Sequence, residues 1–187
     1  MKKSSLTLFF IITIFSSKAQ KHTNVNQRQQ DSVTNARNER VLGKPLQTFV
    51  ASGDNGVINN DSLKGKVTFI NMWFAACAPC MAEMPALNKL YDTLKYYPEF
   101  QFVSISPDNQ ETIKQIEDRF TTHFKVYHLD DEGCFQLNQG LGYPTSIILN
   151  EKGQVTFIHS GGYTDSAKVW QFIFKDEIYP AIVKELK

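Results

Sequence analysis

The sequence predicts an α/β domain built on one mixed sheet with helices packed against it, and three observations predict it. From Val41 onward, strand-like and helix-like apolar stretches alternate. The last two strand-like runs are joined by a short turn that makes a hairpin, so the sheet is mixed. A length of 187 residues suits one such domain plus extensions. Lysine plus arginine (20) nearly balances aspartate plus glutamate (19), so no overall field favours nucleic acid, a membrane surface or a highly charged substrate. Three cysteines are too few for the disulfide framework of a small secreted scaffold.

Residues 1–19 read as an export signal. Lys2 and Lys3 precede an apolar run from Leu6 to Phe15, and Ser17 and Ala19 place small residues where a signal peptidase cuts, after Ala19. Such a run spans only ~15 Å as a helix against ~30 Å of hydrocarbon, which favours a cleaved leader over a retained anchor. The leader looks bacterial and predicts a periplasmic product. Residues 20–40 are polar and rich in Gln and Asn; they bury too little to offset ordering entropy and read as a disordered linker. The folded domain is expected over residues 41–187.

Within it, residues 66–73 (KVTFINMW) follow the turn at Lys64-Gly65 and read as a buried strand. Met84, Leu87, Leu90, Tyr91 and Leu94 recur at spacings of three and four, which predicts a helix over 79–96 with Pro98 beyond its end and a kink at Pro85. Residues 100–106 (FQFVSIS) are the next strand, closed by Pro107-Asp108, and Ile113, Ile116 and Phe120 define a helix over 110–120. A short strand at 125–128 and a short helix at 133–139 come next. Strand 145–150 begins after Tyr143-Pro144, turns at 151–154 into strand 155–159, and residues 166–186 close the domain as one helix.

Chemistry concentrates at Cys77-Ala78-Pro79-Cys80, which leaves a strand and opens a helix. Cysteines three apart at a helix start can bring their sulfurs to bonding distance. Cys77 also meets unpaired N–H groups and the positive end of the helix dipole, both of which favour thiolate. Cys77 is therefore the expected nucleophile towards a substrate disulfide, and Cys80 the thiol that resolves the mixed disulfide. Zinc needs about four ligands, and no second C-x-x-C or finger-like histidine spacing supplies them. A purely structural bridge across two residues would gain little from loop closure.

The run from Lys66 through Pro85, with Gly142-Tyr143-Pro144-Thr145 and Glu151-Lys152-Gly153 downstream, resembles the TlpA/ResA-like branch of the thioredoxin superfamily. The likeness covers about residues 41–187. It implies a thioredoxin fold with an extra helix and strand before the Pro144 strand, at about 118–139, and a cis-proline at Pro144. It also implies that Tyr143 offers its backbone to an extended substrate segment. Glu83, three residues after Cys80, would accept and return the Cys80 proton, since Asn71 stands where thioredoxin commonly has a titrating aspartate.

The resemblance implies protein thiol or disulfide substrates, cytochrome c maturation clients among them, and an upstream electron donor. No cofactor is expected beyond the cysteine pair. Ala76 departs from the bulky aromatic usual in that branch and predicts a more open groove beside Cys77. Trp73 and Phe74 read as packing groups, Asn150 as a turn residue, and Cys134 as a buried apolar group or, alternatively, a third redox partner. Two other classes share the fold: peroxiredoxin-like peroxidases, whose threonine-plus-cysteine signature is missing here, and copper-delivery proteins, whose cysteines stand one residue further apart.

Overall fold

The computed structural model describes residues 39–54 and 56–187, so the predicted leader and all but the last two residues of the predicted linker lie outside it. The strands are β1 (Val50–Gly53), β2 (Gly56–Asn59), β3 (Val67–Met72), β4 (Phe100–Ser106), β5 (Val126–His128), β6 (Thr145–Leu149) and β7 (Val155–Ser160). They form one sheet in the order β2-β1-β5-β4-β3-β6-β7. β3 runs parallel to β4, and β4 to β5, while β6 is antiparallel to both β3 and β7. The mixed sheet is thus as expected, and its centre is the strand whose sequence is apolar on both sides: all six residues of β3 are buried.

Alternation along β3 divides the interior. Val67 and Phe69 face one side, packed with α1 (Ala78–Leu94), with Ile113 and Ile116 of α2 (Gln110–Phe120), and with the carboxy-terminal helices; Ile70 and Met72 face the other. On that second side α3 (Asp131–Leu137) and the segment around Leu46, Phe49 and Leu63 cover the sheet. α1 runs through Pro85 as one helix, and its Met84, Leu87, Leu90 and Leu94 are fully buried. Each such side chain contributes roughly 1.5–3 kcal/mol of burial free energy.

Two parts of the fold differ from expectation. The hairpin of β1 and β2 was not predicted, because each strand is only four residues long and half exposed, which leaves no readable period. Through β1 it pairs with β5 and extends the sheet on that side. The closing helix is not continuous but splits into α4 (Ser166–Gln171), a π-helical turn at Phe172–Asp176 and α5 (Ile178–Glu185). Ile173 and Ile178 are both fully buried yet five residues apart, a step that would rotate about 140° off the face of an α-helix. The wide turn, closed by Glu177 N–H to the Phe172 carbonyl at 3.1 Å, brings both onto the core. Pro180 lacks the N–H a continuous helix would need there. The segment at about 118–139 supplies β5 followed by α3, a strand and then a helix.

Candidate active site

Cys77 is the N-cap of α1 and Pro79 lies in its first turn. A tight turn delivers it there: Cys77 N–H donates to the Phe74 carbonyl at 3.1 Å, and the Cys77 carbonyl accepts the first helical bond from Met81 at 3.0 Å. Cys77 Sγ accepts from Cys80 N–H at 3.3 Å, so the sulfur takes the position an N-capping oxygen usually holds. Cys77 and Cys80 are joined as a disulfide, with Cα atoms 5.2 Å apart. Cys77 retains 6% exposure and Cys80 only 1%, which leaves Cys77 as the sulfur a partner can reach. The preceding loop is fastened to β4 and the residues just after it: Trp73 Nε1 donates to Ser104 Oγ at 2.7 Å and Ala75 N–H to Asp108 Oδ2 at 2.6 Å. Trp73 is fully buried, as a packing group should be, and Ala76 is exposed beside Cys77.

Glu83 lies on the first turns of α1 at 1% exposure. Its Oε2 is buried without a hydrogen-bond partner among the described residues. Burial pushes its carboxyl up from the usual carboxylate range to about 8, because a charge there loses hydration that nothing replaces. Such a carboxyl titrates close to an ordinary thiol, near 8.5. The carboxyl is not isolated from the rest of the site. A Cβ placed on Gly162 would fall 2.6 Å from Glu83 Oε1, 2.9 Å from Pro144 Cγ and 3.4 Å from Pro79 Cβ, so these three groups converge on the backbone of one glycine in the loop after β7.

The Tyr143-Pro144 bond is cis. Among the described residues no backbone hydrogen bond engages Tyr143, whereas the Pro144 carbonyl already accepts from Gly161 N–H at 2.9 Å. The Tyr143 ring meets Phe74 edge-on at 5.2 Å between centroids, which links the proline loop to the cysteine loop. Asn71 shares the sheet face of Phe69 and Trp73; it is 1% exposed, and neither of its side-chain polar atoms has a partner among the described residues.

Cys134 is fully buried, its thiol donating to the Leu129 carbonyl at 3.3 Å. Burial pushes this thiol up to about 11, so almost no thiolate exists at neutral pH and the packing reading fits. Asn150 serves its turn: its Oδ1 accepts from Lys152 and Gln154 N–H, both at 3.0 Å. Sequence reasoning missed Gly162 and Asp108. The sequence marks Asp108 only as the close of a strand, and its partner lies 33 residues away.

A thioredoxin fold carrying a cysteine pair at the N-cap of its first long helix, opposite a cis-proline, defines a thiol-redox class of protein. The family model described as Redoxin matches residues 41–169, and the chain belongs to that family, within its ResA-like branch. It is 33% identical over 106 residues to the thiol-disulfide oxidoreductase ResA of Halalkalibacterium halodurans, covering 55% of this chain and 58% of that one. With the thiol:disulfide interchange protein DsbE of Pseudomonas fluorescens biotype C it is 28% identical over 156 residues, 79% of this chain and 81% of that protein. The chain thus spans under two thirds of the length of the ResA relative. A solved thioredoxin-family thiol:disulfide interchange protein from Chlorobium tepidum superposes with TM-score 0.59 at 23% identity, over 77% of this chain and 97% of that one, and shares the fold.

Proposed function

We propose that the protein is an exported thiol:disulfide oxidoreductase that reduces protein disulfides. The observation that carries the reading is the Cys77–Cys80 pair at the N-cap of α1, with the reachable sulfur first and the buried one second. In the reduced enzyme, Cys77 thiolate attacks one sulfur of a substrate disulfide, forms a mixed disulfide and releases the other sulfur as a thiolate that takes a proton. Cys80 then gives its proton to Glu83, whose carboxyl at about 8 is ionised in a minor fraction of molecules at neutral pH and in most above it, and attacks Cys77 Sγ. The Cys77–Cys80 disulfide forms, and the second substrate sulfur leaves and takes the proton that Glu83 returns. Two electrons pass to the substrate, and an upstream dithiol donor restores the enzyme; the cysteine pair is the whole redox group, with no other cofactor.

Tyr143, its backbone free of partners among the described residues, receives the substrate segment as an added strand beside Pro144. Cytochrome c maturation clients are the substrates we favour, and nucleic acid is not a partner. Export to the periplasm rests on the leader pattern of residues 1–19, followed by a linker to residue 40. Among the described residues no helix is long and apolar enough to cross a membrane. The direct test is disulfide reduction by the purified protein with a dithiol reductant: Cys77→Ser is expected to abolish turnover, and equal rates would overturn the assignment. In cells, Cys80→Ala should accumulate mixed disulfides on Cys77, and their identification names the client.

A further inference from the structure

We infer that Asp108 is a positioning residue of the redox site, its carboxylate fixing the turn that presents Cys77; the inference rests on the oxidoreductase reading above. Asp108 stands just past the end of β4 and is half-buried. Its Oδ2 accepts from Ala75 N–H at 2.6 Å and from Ser106 Oγ at 3.1 Å, while its own N–H donates to Ser106 Oγ at 3.2 Å. The carboxylate is thus aimed by Ser106 before it takes up the loop. On the other side the Asp108 carbonyl pairs with His128 Nδ1 at 2.9 Å, which ties the same residue to β5.

Ala75 is the second residue of the turn closed by Cys77 N–H on the Phe74 carbonyl. Pulling its N–H onto a charged acceptor fixes the orientation of the peptide that leads, two residues later, to the nucleophile. Sequence position explains none of this, since β4 could end without an acid. What matters is the acceptor and not its charge: a negative group beside the site works against the Cys77 thiolate, so charge alone would be a defect.

The test separates these. In reduced protein, alkylation of Cys77 against pH reports its thiolate, and disulfide reduction reports turnover. Asp108→Ala is expected to slow reduction about tenfold and to place the alkylation profile at higher pH than in Asp108→Asn, because both lose the charge and only the alanine lets the sulfur leave its N-cap donor. Asp108→Asn keeps an acceptor and should return reduction to within about threefold of wild type. Ser106→Ala, which leaves the carboxylate but releases its aim, should shift both readouts in the direction of Asp108→Ala by a smaller factor. Asp108→Ala indistinguishable from wild type, or Asp108→Asn as impaired as Asp108→Ala, overturns the inference. Absence of reductase activity in wild type would overturn the functional reading instead, while the alkylation profiles still decide the role of Asp108.

Discussion

Glu83 is the residue whose burial has the widest consequences. Its carboxyl is raised from 4.5 to about 8 by desolvation, so between those values the folded protein holds a proton that the unfolded chain has released. The stability this neutral carboxyl contributes is complete below the unfolded value and is lost as pH rises through the folded one. At about 1.4 kcal/mol per pKa unit the loss amounts to a few kcal/mol. Glu83→Gln, neutral at every pH, should therefore gain on wild type in urea denaturation of the oxidised protein as pH goes from about 4.5 to about 8, with no gain below. Parallel pH curves would contradict the burial argument. The same variant should release mixed disulfides on the order of a hundredfold more slowly, within the usual span of general acid–base catalysis. Cys77, Cys80 and the Glu83 spacing were legible in the sequence. Buried depth was not, because it depends on what the Gly162 loop lays across the helix.

Elements are held at their ends as much as along their faces. α3 covers the second face of the sheet through Cys134 and Leu137, and its start is capped by Asp130, whose Oδ1 accepts from Gly133 N–H at 2.7 Å. Asp130→Ala should cost about 1 kcal/mol in denaturant titration, the usual price of a lost N-cap. Disulfide reduction should stay at the wild-type rate. The other helices were readable wherever apolar residues kept one spacing, as along α1. The carboxy-terminal helix looks continuous in the sequence because its apolar residues are dense enough to fit a single period. Pro180 was the available signal that the helical bonds must restart near Ile178.

At the scale of the molecule, β3 belongs to both cores, so its two faces should unfold together. Phe69 and Ile70 are each fully buried, on opposite sides. Phe69→Ala and Ile70→Ala are each expected to cost roughly 2–5 kcal/mol. Tertiary and secondary-structure signals should then lose amplitude in one coincident transition; separate transitions would show that the faces are independent. The register also assembles the site. Met72 pairs with Ile105 in the parallel direction and with Thr145 in the antiparallel one. The chain therefore reaches Trp73 and the cysteine turn, Ser106 and Asp108, and Pro144 at the same edge of the sheet.

The sequence by itself determined the kind of chemistry and the kind of fold: two cysteines three apart at a helix start, a proline between them, and apolar periods that change from strand to helix. These are properties of neighbours along the chain, and local backbone geometry turns them directly into structure. Only the tertiary structure decided that Glu83 is sealed from water, that Asp108 holds Ala75 and that Gly162 closes on Pro144. Each depends on groups brought together across tens of residues, where desolvation and packing act on distances that no local pattern contains.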